Sequence, residues 1–139
     1  MIDPMTESQP MTLHQFPEKL AVVQLAAGAD IPTWAESSSI FSITATADET
    51  SLVCAGRSIP TKVRATRGLV GFSIADAGDN TVAGVLVSLL APLADEVISV
   101  FTLSTYKTNW ILLPATEVDR AAEAWRRQGH TVAAAPVPS

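Results

Sequence analysis

One segment of this 139-residue sequence repeats another, which limits the folds available to it. SIFSIT, starting at Ser39, falls on SVFTLS, starting at Ser99, and SLV from Ser51 falls on ILL from Ile111 at the same offset. LAVVQL from Leu20 lies similarly over LVGFSI from Leu69. The second offset is shorter by about ten residues, which reads as a longer helix in the second copy of one strand–helix–strand–strand unit. Repetition on this scale implies two copies of a supersecondary unit that share a core.

The longer helix is the most distinctive stretch. No charged side chain stands between Asn80 and Ala94, and Val82, Val85, Leu86, Leu89, Leu90 and Leu93 recur at the spacing of one helix face. Asp79, Asn80 and Thr81 are capping residues, and Gly84 falls in the first turn, where a missing side chain lets another group approach backbone N–H donors. A helix start of this kind can hold a carboxylate without a basic residue. The same pattern equally describes a capped helix packed closely on a strand.

After this helix, ISVFTLS and NWILL form two strands joined by a polar hairpin. A second helix follows, with Thr116 predicted as N-cap, Glu117 and Asp119 in the first turn, Arg126 and Arg127 in the last, and Gly129 as the stop. Val118, Ala121, Ala122 and Trp125 make its buried face. HTVAA is a last strand. Counting the strand-like KVRAT that leads into LVGFSI, the order is β-α-β-β-α-β, the split pattern of ferredoxin-like folds. The first half shows the same order with its helix shortened, because glycine and proline break AAGADIPTWAESSS. The expected division is a loose end over 1–12, a first unit over 13–66, a second over 67–135 and a tail over 136–139.

Composition narrows the function. Basic residues are fewer than acidic ones, the net charge is −5, and the one basic cluster, Arg57, Lys62, Arg64 and Arg67, reads as a solvated strand face, so nucleic acid is not an expected partner. The apolar run before Asp95 is shorter than the roughly 20 residues of a membrane span. The N-terminal MIDPMTESQP lacks the basic start and apolar segment of a secretory signal, so a cytoplasmic protein with no membrane association is expected. Cys54 lies in the apolar SLVCA run and is predicted to be buried; Trp34 is predicted to pack under a loop.

Residues for catalysis are hard to assemble. His14 and His130 have no partner at metal-ligand spacing and read as surface or turn residues; no metal and no cofactor are expected. Asp48–Glu49 and Asp95–Glu96 are adjacent pairs that do not converge on one atom. G-x-S-x-G, G-x-x-x-x-G-K and G-x-G-x-x-G motifs do not occur. A non-enzyme is expected.

The runs DNTVAGVL at 79–86, LAPLA at 90–94 and ISVFTLSTYKTNWIL at 98–112 resemble the ACT-like domain of small bacterial proteins related to aspartate kinase regulatory domains and to cytosolic arginine sensors. The resemblance continues more weakly through VRATRG at 63–68 and the first hairpin. It implies an α+β protein of two tandem ferredoxin-like (βαββαβ) ACT-type units, a non-catalytic role in binding an amino acid, and a homodimer. It also implies a site where the loop leading into a helix faces the edge of a neighbouring strand. Carried over by position, that site comprises Asn80, Thr81, Ala83, Gly84 and Val85, with Phe101, Ser104, Thr105, Tyr106 and Asn109. Helix-start N–H groups would hold the ligand carboxylate; carbonyls near Ser104 and Thr105, with the Asn109 side chain, would accept from its ammonium, and Tyr106 would wall the side-chain pocket.

The chain departs from the family at Lys107 and Asn109, where acidic residues are usual, at Val97, where glycine is common, and at Ala83, which replaces a hydroxyl residue. Loss of the two acids removes the partner for a cationic side chain and favours a neutral or acidic amino acid. The alternative is a structural or protein-interaction module that keeps the fold with a degenerate pocket. The apolar character of SIFSIT and SVFTLS on both faces favours self-association in either case.

Overall fold

The computed structural model describes residues 10–36, 38–74 and 82–134. They form two compact units, one continuous over Glu18–Leu69 and one made of the residues before Glu18 together with those from Val70 onward.

In the continuous unit, β2 (Leu20–Leu25) pairs antiparallel with β4 (Thr50–Ala55) in unbroken register from Leu20↔Ala55 to Leu25↔Thr50. β3 (Ser42–Ala45) pairs with the outer side of β4, and the first part of β5 (Ala65–Ile74) pairs with β2. The strand order is therefore β3-β4-β2-β5. The only α-helix described in this unit is the single turn α1 (Thr33–Glu36), which follows the chain-breaking Gly28 and Pro32; a 3₁₀ turn over Gly56–Ser58 follows β4. Ala21, Val23, Ala35, Leu52, Cys54 and Ile59 make the core, with Trp34 half-buried against it. Burial pushes the Cys54 thiol pKa up, as for an inert structural cysteine.

The basic cluster is used structurally. The Arg67 guanidinium donates to the carbonyls of Pro60 at 2.9 Å and Val63 at 3.2 Å, tying down the turn before β5, while Arg57 pairs with Glu18 at 3.2 Å. The strand begins at Ala65, so Lys62 to Arg64 lie outside it, contrary to the strand-like reading of KVRAT. The stretch of β2 from Leu20 to Val22 has three residues, whereas the stretch of β5 opposite it, from Leu69 back to Thr66, has four. The extra residue is accommodated beside Gly68, whose φ of +69° suits glycine at a bulge.

The other unit contains the second part of β5, α2 (Val82–Asp95), β6 (Phe101–Ser104), β7 (Asn109–Pro114), α3 (Val118–Arg127) and β8 (Thr131–Ala133). β6 pairs with β7 and β7 with β5. A short strand, β1 (Thr12–Gln15), inserts between β5 and β8: it is antiparallel to β5 through His14↔Ser73 and parallel to β8 through Thr12↔Thr131. The sequence pattern predicts a loose end over 1–12 and a first unit that begins at 13. Instead this segment groups with the C-terminal elements, and Met11 is buried. TLHQ has one core side chain, Leu13, too few for a period to show, and pairing on both sides keeps it extended.

Val85, Leu89 and Leu93 form the deeply buried line of α2, whereas Leu86 and Leu90 are half-buried. Trp125 joins α2 to the sheet: its ring meets Phe72 edge-on at 5.0 Å, and its Nε1–H donates to the Leu89 carbonyl at 2.9 Å. The predicted Thr116 cap is replaced by a 3₁₀ turn over Ala115–Glu117, which leads into α3 with Glu117 as N-cap and no side-chain cap bond.

Both helices end in the same hydrogen-bond motif. In α3, His130 N–H donates to Trp125 O and Gly129 N–H to Arg126 O; in α2, Ile98 N–H donates to Leu93 O and Val97 N–H to Ala94 O. The left-handed residue is Gly129 at φ +91° in one and Val97 at φ +56° in the other. A left-handed conformation costs a non-glycine residue about 1–2 kcal/mol, against about 0.5–1 kcal/mol for glycine's lost freedom. Val97 is 88% exposed and gains little burial in return. Val97→Gly should therefore raise stability by about 1 kcal/mol, seen as a higher urea midpoint at unchanged slope. Val97→Ala, which keeps the strain, should not.

The turn beside Val97 is braced electrostatically. Glu96 accepts from Arg127 at 3.0 Å and from Arg120 at 3.3 Å, and these hydrogen bonds lower its carboxyl pKa.

Candidate functional site

The β6–β7 hairpin brings together the second half of the expected site. Its register sets Ser104 opposite Asn109, and the Ser104 hydroxyl donates to Asn109 Oδ1 at 2.9 Å. Thr105 N–H donates to Thr108 O at 2.8 Å, and the Thr105 hydroxyl oxygen accepts from Thr108 N–H at 3.1 Å. These bonds close a tight turn with Tyr106 and Lys107 at its tip, and Tyr106 is fully exposed. Within one chain, then, Tyr106 walls no cavity. β6 is hydrogen-bonded to β7 alone among the described strands, and Phe101 on it is 42% exposed, so an open strand edge and an apolar side chain occur together.

The first half of the expected site lies at the start of α2. Asn80 and Thr81, like Asp79, are outside the described residues. Ala83 is exposed, Gly84 is buried, and the Val85 side chain belongs to the core, leaving its backbone as the part that could meet a ligand.

A second polar cluster was not expected. His130, read from sequence as a surface or turn residue, is 5% exposed. Its Nδ1 accepts from the Met11 backbone N–H at 3.1 Å, and its Nε2 lies 3.0 Å from the Ser88 hydroxyl oxygen. An Nδ1 that accepts is unprotonated, so the neutral ring carries its proton on Nε2 and donates to Ser88. Such an imidazole cannot take the serine proton, and the pair is structural rather than a nucleophile and its base. Burial pushes the His130 pKa down and keeps the ring neutral. Partners 119 and 42 residues distant gave no local signal of this arrangement. A cavity of about 170 Å³ opens beside the pair, lined also by Val87, Ala91, Pro92, Asp95 and Gln128.

A β-α-β-β-α-β unit with the order β6-β7-β5, and β8 beyond an inserted strand, is ferredoxin-like. Residues 64–127 match the ACT domain family, and residues 18–62 match a separate N-terminal domain family. A structural-genomics protein from Agobacterium tumefaciens is similar over 95% of this chain and 98% of its own, with 26% identity and a TM-score of 0.88. A Vibrio cholerae protein of unknown function is similar over 85% and 89% of the two chains, with 11% identity and a TM-score of 0.65. The regulatory subunit of aspartate kinase from Thermus flavus is similar over 87% and 99%, with 10% identity and a TM-score of 0.59. No curated protein sequence matches the chain. Residues 64–127 are thus matched to the ACT domain family, and the Thermus flavus chain of similar fold is described as a regulatory subunit. No helix among the described residues is long and apolar enough to cross a membrane.

Proposed function

We propose that this protein is a non-catalytic regulatory module of two tandem ferredoxin-like ACT-type units that binds a neutral or acidic amino acid and works as a homodimer in the cytoplasm. The observation that carries the reading is the ACT domain match over 64–127, which spans both the start of α2 and the β6–β7 hairpin. Asn80, Thr81, Ala83, Gly84 and Val85 would present helix-start N–H groups to the ligand carboxylate. Phe101, Ser104, Thr105, Tyr106 and Asn109 would come from the strand edge of a neighbouring unit. The open edge of β6 and the exposed Phe101 suit such a neighbour. Lys107 at the hairpin tip disfavours a cationic ligand and suits an acidic one.

A thermal-shift screen of the purified protein against the twenty amino acids at millimolar concentration tests this. A ligand at about 100 times its dissociation constant adds about 2.7 kcal/mol to the folded state, a rise of several degrees for a domain of this size. We expect a selective rise with a neutral or acidic amino acid, none with arginine or lysine, and a smaller rise for Asn109→Ala. A flat response to all twenty, with a dimeric mass by light scattering, would support the protein-interaction module instead.

A further inference from the structure

We propose that the cavity on α2 beside Gln128 and His130 is a separate ligand site, selective for a small primary ammonium compound with an apolar tail. Val87, Ser88, Ala91 and Asp95 follow one another at helical spacing along α2 and present one face to the cavity. Its volume of about 170 Å³ is close to that of the apolar protein cavities of about 150 Å³ that admit benzene. It therefore suits a ligand of four to six heavy atoms.

Three of its polar residues can offer acceptors, for reasons set by the sequence. Pro92 stands inside α2 and has no N–H, so the Ser88 carbonyl four residues earlier lacks its usual helical donor. Asp95, one turn further on, is exposed and has no ion-pair partner among the described residues. Gln128 adds an amide oxygen. A carbonyl, a carboxylate and an amide oxygen on residues lining one cavity are the acceptor types that an ammonium group, with three N–H donors, would take. His130 does not oppose the charge: it is neutral and its Nε2–H is committed to Ser88. Val87, Ala91 and the Pro92 ring supply an apolar wall for the tail. A carboxylate placed there would face Asp95, and the basic side chain of the adjoining pocket, Arg127, is paired with Glu96 at 3.0 Å.

This site shares no residue with the amino-acid site proposed at the helix start and hairpin, so either can fail alone. The test is a ¹⁵N–¹H correlation titration of the full chain at pH 7.5 with n-butylammonium chloride, sodium butyrate and n-butanol, which share a tail and differ in the head. Saturable shifts centred on the amides of Ser88, Ala91, Asp95 and Gln128, produced by butylammonium alone, are expected. Asp95→Asn, which preserves shape, should weaken binding tenfold or more. Pro92→Ala restores the helical donor to the Ser88 carbonyl and should weaken it severalfold while leaving the protein folded. Equal shifts with butanol would reduce the cavity to an apolar surface, and butyrate binding as tight as butylammonium would reverse the charge preference. Either result, an absence of saturation, or an unchanged dissociation constant in Asp95→Asn overturns the proposal.

Discussion

Trp125→Ala should cost about 3–5 kcal/mol, a large part of the 5–15 kcal/mol that holds a domain of this kind together. Trp125 is fully buried and packs edge-on to Phe72 of β5, while its indole N–H reaches Leu89 of α2. Truncation therefore removes the contact by which two helices and the sheet meet, and leaves a cavity too large to close by small shifts. Trp125→Phe separates the two contributions. It keeps most of the ring contact and loses the N–H donor, and Leu89 O keeps its position as an acceptor within the helix, so the cost should be about 1 kcal/mol. Urea unfolding followed by far-UV circular dichroism reads both, since Trp34 and Trp110 would complicate fluorescence. A loss below 1 kcal/mol for Trp125→Ala would mean that the core does not depend on this residue.

The second large effect is a loss of stability in mild acid, traced to His130. Protonation would put a second N–H on Nδ1, facing the Met11 N–H that it now accepts. The folded pKa is depressed by burial below the ordinary value of 6.5, so between the folded value and 6.5 the unfolded chain binds more protons. The contribution is therefore full above about pH 6.5 and declines as pH falls through the folded value. The ring is hydrogen-bonded by the Met11 amide just before β1 and by Ser88 of α2, and the cavity beside it is also lined by Gln128 and by Asp95, the one charged group among them. His14 on β1 pairs opposite Ala133 and is exposed. His130→Ala should cost about 1–3 kcal/mol at neutral pH by orphaning the buried Met11 N–H. His130→Asn can keep an acceptor near Nδ1 without titrating, and its stability should be flatter between pH 7 and 5. The protection of the Met11 and Thr131 amides from hydrogen exchange, after correction for the intrinsic pH dependence of the rate, should fall over this range in the wild type only. Equal pH dependence in wild type and His130→Asn would assign the acid sensitivity to other groups.

The elements that sequence pattern located are those whose signal is local. α2 follows from a charge-free run with apolar residues at helical spacing, and β6 and β7 from alternation on either side of a polar turn. Gly129 stops α3 because the left-handed position after a helix favours glycine, and the same rule hides the end of α2, where valine occupies that position. Thr116 was a reasonable cap by type, but the turn beginning at Ala115 shifts the helix start beyond its reach. β1 and the partners of His130 were not legible, because each is defined by contacts with residues far away in the chain. Within the candidate site, the Ser104–Asn109 pairing follows from hairpin register. The burial of Gly84 depends on tertiary packing that spacing alone could not distinguish from a ligand approach.

The insertion of β1 between β5 and β8 also orders the assembly of the chain. The unit over Glu18–Leu69 is contiguous and can form from its own residues while synthesis continues. β1 is made before that unit, yet one of its two partner strands is β8, the last of the described strands. Closing that pair joins residues about 119 apart, a long loop whose entropy must be met before the parallel contact forms. Until then Leu13 and Met11 have no finished core to enter, and even where β1 has joined β5 its other edge stays unpaired and aggregation-prone. The pairing of β1, the first of the described strands, with β8 is therefore a late step, and its rate, rather than helix formation, should set the pace at which the native protein appears.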